Sequence, residues 1–308
     1  MTKFLQTLLD GVSVGSLYAL IALGYTMVYG VLKFINFAHG DIFMVGAWVA
    51  FVAAGIAGWT SIDAAPPWYA AVVLLIVSMA LCATLGVLAE RFAYRPLRRS
   101  PRLNVLITAI GVSLLIQNVG QLNFIFGADP KKMPPLLPDK ILFSVASVNV
   151  EFIDAMMIGT ALLLMIGLQW LVYGTKLGLG MRAVSHDPTT AALMGVPVDR
   201  VISLTFAIGS ALAAAAGLLF ALEYRNLNQP AASTWVLLGL KAFVAAVVGG
   251  IGNLHGAMLG GLIIGLIEWF GAAYLSAQFR DVYVFALLIL CLLIKPSGLL
   301  GKPVAEKV

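Results

Sequence analysis

DRVISLTFAIGSALAAAAGLLFAL (199–222) sets the fold class of this chain. After its first two residues the stretch carries no charged side chain. At 1.5 Å per residue it is long enough to cross the hydrocarbon core of a bilayer, which is about 30 Å thick. It therefore predicts a transmembrane helix. Similar apolar runs occur at 8–30, 40–58, 67–89, 103–126, 152–173 and 281–295.

The number of crossings depends on one further apolar region, 235–272, which GGIGN (249–253) divides into a shorter and a longer piece. Non-helical backbone at membrane depth is tolerated only where protein or a water-filled cavity surrounds it, so the region forms either two spans or a re-entrant pair. We therefore predict an all-α fold, a polytopic transmembrane helical bundle with eight or nine spans, some of them broken or re-entrant.

The composition excludes a soluble protein. Of the 308 residues, 61% are hydrophobic and only 11% are charged, and the mean hydropathy is +0.99. A soluble domain needs a wettable surface, and no polar segment of this chain is long enough to form a separate domain. Residues 1–308 are therefore expected to form a single domain surrounded by membrane lipid. The net charge of +5 fits basic cytoplasmic loops rather than a nucleic-acid surface.

The distribution of basic residues predicts the orientation in the membrane. The segment 91–102, RFAYRPLRRSPR, contains several arginines and no acidic residue, so it should remain in the cytoplasm. Counting spans from there places the loop 127–151 outside and the loop 174–198 inside. The C-terminus is then cytoplasmic and the N-terminus is outside. A re-entrant segment near 33–45 would reverse the side of the N-terminus.

Small residues recur at intervals of four in several apolar runs, as in GVSVG (11–15), Gly209–Gly217 and Gly261–Gly265. In a membrane this spacing lets two helix backbones approach closely. GVSVG also fits the pattern of a nucleophile elbow, but that motif requires a strand-to-helix turn with His and Asp partners. We interpret these stretches as helix-packing surfaces.

Charged side chains inside apolar runs are costly and mark either a structural pair or a functional site. Lys241 and Glu268 are the clearest examples, and we expect them to pair with each other. The alternative is that they face a water-filled path. Asp10, Asp41 and Glu90 lie nearer to the ends of spans, where they are expected to reach water.

A short sequence echo links the two halves of the chain: NFAHG (36–40) and NLHG (253–256). In transporters, matched breaks in two halves mark helices that unwind around the conducting path, although a match this short also arises by chance. The histidines have no metal-ligand spacing. Candidate residues of a translocation path are Asn36, His39, Asn118, Asn253 and His255.

The polar stretch LGLGMRAVSHDPTTAALMGVPVDRVI (177–202) contains the signals of a very short helix. Asp187 is a suitable N-cap and Pro188 a suitable first residue, while Gly195 and Pro197 end the run. The predicted helix, 188–194, is far too short to cross a membrane. It is either an ordinary capped turn between spans or a docking handle for a soluble partner.

A nucleotide site is not evident in the sequence. The nearest approach to a phosphate loop is GLLGKP (298–303), which lacks the spacing and the Ser or Thr after lysine that would hold magnesium. We expect no cofactor in this chain and no enzymatic activity of its own. If ATP drives its function, another subunit must bind the nucleotide.

Large parts of the chain resemble the LivH-type permease subunit of bacterial branched-chain amino-acid ABC transporters. The resemblance covers nearly the whole length. The segments that carry it are GVSVGSLYALIALGYTMVYGVLKFINFAHGDIFMVGAW (11–48), ERFAYRPLRRSPRLNVLITAIGVSLLIQN (90–118), DRVISLTFAIGSALAAAAG (199–217), GLKAFVAAVVGGIGNLHGAMLGGLIIGLIE (239–268) and PSGLLGKPVAEKV (296–308).

The resemblance implies an ATP-driven importer in the bacterial inner membrane that moves branched-chain or other hydrophobic amino acids by alternating access. This subunit would assemble with a second related permease, two cytoplasmic ATP-binding subunits and a periplasmic substrate-binding protein. The loop at about 176–198 would be the cytoplasmic coupling segment, although it lacks the Glu-Ala-Ala start of the general importer pattern. Its expected contact residues are Arg182, Asp187, Pro188, Thr189, Ala192 and Gly195.

Two alternatives remain from the sequence. Relatives in the same family carry urea, amides or other amino acids, and the permease sequence does not separate these substrates. An ion-coupled secondary carrier is the other reading, but the spans contain no regular array of acidic residues that would suggest a proton relay. A membrane enzyme would need a convergent nucleophile and base, which the sequence does not offer.

Overall fold

The computed structural model describes residues 2–60, 66–98, 100–138, 140–145 and 148–301. Arg99, which contributes to the orientation argument, and the tail beyond residue 301 lie outside the described residues. The side of the membrane on which the described chain ends is therefore judged from the residues up to 301.

Helices account for nearly all of the described membrane-embedded chain. They are α1 (Thr2–Leu32), α2 (His39–Ile56), α3 (Ala70–Ala89), α4 (Arg102–Gly120), α5 (Phe152–Gly174), α6 (Lys176–His186), α7 (Pro188–Leu193), α8 (Val198–Tyr224), α9 (Ser233–Gly249), α10 (Leu254–Tyr274) and α11 (Arg280–Ile294). A π-helical turn (Glu90–Tyr94) and a 3-10 turn (Arg95–Leu97) continue α3, and a second 3-10 turn (Ala277–Phe279) precedes α11.

Four short strands lie in the connections. They are β1 (Lys131–Lys132), β2 (Ile141–Val145), β3 (Val148–Glu151) and β4 (Asn226–Leu227). β1 pairs antiparallel with β4, and β2 pairs antiparallel with β3. The predicted loop 127–151 therefore contains a small hairpin and one strand that fastens it to the chain after α8. Because these strands form only two-stranded ribbons, the fold remains the all-α polytopic bundle that the sequence predicts.

Eight helices of the described chain are long and apolar enough to cross a membrane, and α9 is shorter, at 17 residues. α9 nevertheless runs the depth of the bundle, because its length corresponds to about 25 Å. At its start, Trp235 Nε1 donates to the carbonyl of Asn228, just after α8 ends. At its end, Gly249 contacts Gly256 at the start of α10. α9 and α10 are thus two antiparallel crossings, and the described bundle has nine traversals rather than a re-entrant pair.

The N-terminus and the loop 174–198 lie at opposite ends of the bundle. Near the start of α1, Gln6 accepts a hydrogen bond from the backbone amide of Asn149, in the loop predicted to be outside. Near the end of α1, the carbonyl of Gly30 accepts a hydrogen bond of 2.7 Å from Ser185 Oγ in α6. This arrangement agrees with an outside N-terminus. The end of the described chain lies at the same end of the bundle as α6. The amide of Leu300 donates to the last carbonyl of α9, and Gly252, just after α9, lines a cavity together with Ser185 of α6.

The connection between α1 and α2 turns back into the bundle. His39, the first residue of α2, packs against Gly24, which lies eight residues before the end of α1 at Leu32. Eight residues of helix correspond to about 12 Å, so α2 begins well inside the bundle. α2 then continues outward, where Trp48 Nε1 donates to the carbonyl of Asn228. Residues 33–38 therefore form a non-helical connection that enters the bundle, as a re-entrant segment would. Because α2 still runs to the outer end, the N-terminus remains outside.

The centre of the bundle is α1 with α10, and glycines hold the two helices together. A Cβ atom on Gly261 would lie closer than 3.0 Å to the backbone of Ala19, and one on Gly265 would overlap Gly15. The apolar stretch of α1 is 94% buried, whereas that of α11 is only 6% buried. The prediction that these glycine-rich stretches are packing surfaces is confirmed.

Candidate functional site

The loop at the inner end of the bundle forms two short helices with well-defined caps. Thr175 Oγ1 accepts from the amide of Gly178 at the start of α6. Asp187 Oδ1 accepts from the amide of Thr189 at 2.9 Å at the start of α7, and Pro188 is the first helical residue. Gly195 follows in the left-handed region with φ +83°. The sequence prediction of this helix is confirmed, although it ends one residue earlier than expected.

The carboxylate of Asp187 is held in its ionised form. The Thr190 hydroxyl and the amides of Thr189 and Thr190 donate hydrogen bonds to it and lower its pKa below the usual aspartate value. A lowered pKa means that the cap stabilises α7 at every pH above the ordinary value. The stabilisation is lost only as the pH falls through the lowered pKa. α7 is therefore fully capped at neutral pH.

α7 presents an apolar tip at the surface of the bundle. Leu193 and Met194 are 84% and 80% exposed, while Ala191 faces inward and is buried. Of the predicted contact residues, all but the partly buried Asp187 are exposed: Arg182, Pro188, Thr189, Ala192 and Gly195. Leu193 and Met194 are not among the contact residues predicted from the sequence. Their signal was available, since they are the large apolar residues of a segment too short to be buried in lipid.

Arg182, which is also exposed, connects α6 to the end of α5. Its guanidinium donates to the carbonyl of Val172 and lies 5.5 Å from the ring centroid of Tyr173. Both partners are near the end of α5, so Arg182 fastens α6 to α5. Ser185 fastens the same helix to the end of α1, as described above. α6, which leads into α7, is therefore attached to two membrane-spanning helices.

Two of the predicted path residues lie in the connection between α1 and α2. Asn36 Oδ1 accepts from the hydroxyl of Tyr94 at 2.6 Å and from the amide of Ala38. His39 is buried and its ring packs edge-on against Tyr25, with centroids 4.6 Å apart. Both side chains therefore fix the inward turn of the chain.

The other three predicted path residues lie elsewhere. Asn253 caps α10 by accepting from the amide of His255, and its Nδ2 donates to the carbonyl of Leu300 at 2.7 Å. His255 Nε2 lies 2.7 Å from Gln169 Nε2, at the inner end of the bundle. Asn118 is exposed on α4. The structure thus places the five residues in three separate regions. Of the two asparagines in the sequence echo, Asn253 is the N-cap of α10, whereas Asn36 binds the amide of Ala38 in the connection before α2.

Lys241 and Glu268 form a buried ion pair, as predicted. Lys241 Nζ lies 2.9 Å from Glu268 Oε1 and 2.6 Å from Asp281 Oδ1. The hydroxyl of Tyr18 donates to Glu268 Oε2 at 2.7 Å. α1, α9, α10 and α11 are therefore joined at this point. The expected pairing of Lys241 with Glu268 is confirmed, and these charges compensate each other.

The expectation that Asp41 and Glu90 reach water is wrong. Asp41 is only 3% exposed and Glu90 is 0% exposed. Asp41 is buried because the inward turn before α2 carries the first turn of that helix into the bundle. Glu90 is buried because it begins the π-helical turn, where Arg98 and the hydroxyl of Ser203 bind its carboxylate.

Asp41 lines a cavity of about 280 Å³ between α1, α2, α4 and α9. Gln117 Nε2 donates to Asp41 Oδ1 at 2.7 Å, and Ser113 lies beside it on α4. The remaining wall is largely apolar and includes Phe37 and Leu240. The cavity is therefore an apolar chamber inside the membrane with one carboxylate at its side.

The comparisons with known proteins agree with this architecture. A family model described as the permease component of the branched-chain amino acid transport system matches residues 7–293. The chain belongs to this family. The BraD permease protein of the high-affinity branched-chain amino acid transport system of Pseudomonas aeruginosa is 42% identical over 308 residues, 99% of this chain and 98% of the relative. The corresponding LivH protein of Escherichia coli is 41% identical with the same coverage.

The permease is thus a multi-pass protein of the bacterial inner membrane, and the resemblance noted from its sequence is confirmed. Its relatives are named as permease proteins of a transport system and not as enzymes. Among the residues that the structure describes, no group of three or more His, Cys, Asp or Glu side chains is arranged to hold a metal ion. Three structural features have been described for the permease: the exposed tip of α7, the attachments of α6 and the cavity beside Asp41.

Proposed function

We propose that residues 1–308 form one transmembrane domain of an ATP-driven importer for branched-chain or other hydrophobic amino acids. The other components are a second related permease, two cytoplasmic ATP-binding subunits and a periplasmic substrate-binding protein. ATP is bound by the partner subunits, and this chain carries no cofactor. The names of the relatives support the substrate class. The observation that carries the proposal is the exposed apolar tip of α7 at the end of the bundle where loop 174–198 lies.

The contacts of α6 with α5 and α1 define how a displacement of α7 reaches the membrane-spanning helices. When the ATP-binding subunits close, they displace α7, and α6 moves with it because only Asp187 separates the two helices. α6 pulls the end of α5 through Arg182 and the end of α1 through Ser185. The end of α1 leads directly into the connection 33–38, so the motion reaches the start of α2. Alternating access then consists of rocking these helices about the buried α1–α10 pair.

The proposal is tested by reconstituting the permease with its candidate partner subunits in proteoliposomes. Uptake of radiolabelled leucine should require both ATP and the binding protein. Uptake that follows an ion gradient and ignores ATP would contradict the proposal and favour a secondary carrier. ATP-driven uptake of urea or amides in place of leucine would support the importer function and contradict the proposed substrate class.

The α7 tip gives a sharper prediction. Replacing Leu193 and Met194 with glutamate should weaken binding of the ATP-binding subunits by about 100-fold or more, because each buried apolar side chain contributes about 1.5–3 kcal/mol at an interface. Co-purification and ATP-driven uptake should both be lost while the variant still inserts. The control is Leu275→Glu, an exposed leucine at the opposite end of the bundle. Equal association of the two variants would exclude α7 as the docking site.

A further inference from the structure

Four carboxylates are buried in the described part of the bundle, and Asp41 is one of the two that have no basic partner. Glu90 is bound by Arg98, and Glu268 is bound by Lys241. Asp41 has only the neutral amide of Gln117 and the hydroxyl of Ser113 as side-chain partners among the described residues. A carboxylate inside a membrane is costly, and proteins normally compensate it with a cation. The other carboxylate without a base, Asp154, belongs to the capping box of α5 and accepts from the hydroxyl of Ser13. Asp41 instead lines a cavity, so a cation that is not part of this chain has room to compensate it.

The cavity next to Asp41 has the size and the polarity of a small aliphatic amine. At about 30 Å³ per water-sized group, its volume of about 280 Å³ accommodates roughly nine such groups. Apart from the carboxylate, Ser113 and Gln117, most of the wall consists of apolar side chains such as Phe37, Leu114 and Leu240. A cation with a hydrocarbon side chain can bind the carboxylate and also pack against the apolar wall. A hydrated metal ion can bind the carboxylate but cannot pack against the apolar wall.

The two sides of the cavity differ in how tightly their helices are packed into the bundle. On one side, Gly40 and Gly239 bring α2 and α9 into contact, since a Cβ atom on Gly239 would lie 2.9 Å from Gly40 Cα. On the other side is α4, whose apolar stretch is only 22% buried. Movement of α4 therefore opens the chamber without breaking the core. The position fits a station along a transport path and not a permanently filled structural site.

We propose that Asp41 binds the α-ammonium group of the transported amino acid, with the aliphatic side chain of the substrate against the apolar wall. The inference rests on the importer function proposed above and narrows its substrate class. A primary ammonium compensates the carboxylate and forms a short, charge-assisted hydrogen bond with it. Urea and simple amides are neutral and leave the carboxylate uncompensated. The site therefore selects amino-acid zwitterions over those substrates.

The first experiment replaces Asp41 with asparagine in the complete transporter. The side chains have nearly the same shape, and Asn Oδ1 still accepts from Gln117, so the fold is retained. Uptake of radiolabelled leucine should fall by about 10- to 100-fold, because a hydrogen bond to a charged group is lost. ATP hydrolysis stimulated by the binding protein should persist. The matched control is Asp10→Asn, since Asp10 on α1 also accepts from a glutamine but lies outside the cavity.

The outcomes separate the two proposals. If the unaltered transporter shows no ATP-driven uptake of leucine, the importer function itself fails. If it transports leucine and Asp41→Asn does so equally well, the importer function stands and the role of Asp41 is wrong. If Asp41→Asn and Asp10→Asn lose uptake to the same degree, the loss is not specific to the cavity and the role of Asp41 is again rejected.

A second experiment examines the cavity without relying on transport. Ser113→Cys is introduced after Cys82 and Cys291 are changed to alanine, and the intact transporter is treated with cationic or anionic methanethiosulfonate reagents of similar size. The cationic reagent should react faster by about tenfold or more because the carboxylate lies nearby. Leucine should protect the cysteine, and Asp41→Asn should abolish the preference. Equal rates for both reagents before that change would overturn the assignment.

Discussion

Lys241→Met should destabilise the bundle by about 3–5 kcal/mol, because it leaves Glu268 buried without its closest cation. Glu268 is 3% exposed, and after the substitution its nearest basic group is Arg280, at 3.7 Å from Oε1. Methionine has nearly the length of lysine, so the loss reflects charge rather than a cavity. Thermal unfolding of the purified protein in detergent, followed by tryptophan fluorescence, measures the effect.

The double variant Lys241→Met with Glu268→Gln identifies the cause. Glutamine removes the uncompensated charge, and its side-chain oxygen still accepts from the hydroxyl of Tyr18. Replacing a buried ion pair with neutral groups is often nearly neutral in free energy, so the double variant should recover most of the lost stability. A double variant as unstable as Lys241→Met alone would show that the pairing is not what stabilises this point of the bundle.

The second large effect concerns the contact between α1 and α10. Gly261→Leu places a side chain where the backbone of Ala19 already lies, and backbone cannot move aside as a flexible side chain can. The free energy of unfolding should fall by at least the 1–3 kcal/mol that is roughly typical of overpacking. Folded yield and the midpoint of thermal unfolding should both decrease. Gly261→Ala should show a smaller decrease in the same direction.

The control for this prediction is Gly167→Leu. Gly167 is also in a membrane-spanning helix, α5, but a Cβ atom there would meet nothing within 4 Å. The substitution adds the same apolar group at a position open to its surroundings, so it should leave stability almost unchanged. If both variants lose the same stability, leucine in a membrane-spanning helix is harmful in itself and the close α1–α10 contact is not the reason.

The sequence predicted those features that depend on local physical rules. The apolar length of 199–222 defines a crossing, and Asp187 with Pro188 defines the start of α7, because a cap and its helix are adjacent in the chain. The pairing of Lys241 with Glu268 could also be predicted, since two isolated opposite charges in neighbouring apolar segments have few other partners.

Features that depend on tertiary packing were less predictable. The burial of Asp41 follows from the inward turn at 33–38. The sequence indicated a break near this point, but the depth at which α2 begins is set by contacts with α1 such as that of His39 with Gly24. α9 is shorter than a normal span, so its sequence is compatible with a crossing or a re-entrant helix, and only its contacts decide. The two parts of the echo both lie next to a helix start, but the short motif does not determine what its residues bind: Asn253 caps α10, whereas Asn36 accepts from the hydroxyl of Tyr94.

The close packing of α1 against α10 has a consequence for the order in which the protein is synthesised and inserted into the membrane. α1 is synthesised first, whereas α10, its main packing partner, is synthesised about 250 residues later. Tyr18 of α1 and Glu268 of α10, which bind each other, are separated by this interval. Until then the glycines and hydroxyls of α1 must face lipid or a chaperoning insertase. Chains interrupted before α10 expose that unfinished surface, so truncated products should be natural targets for membrane proteases.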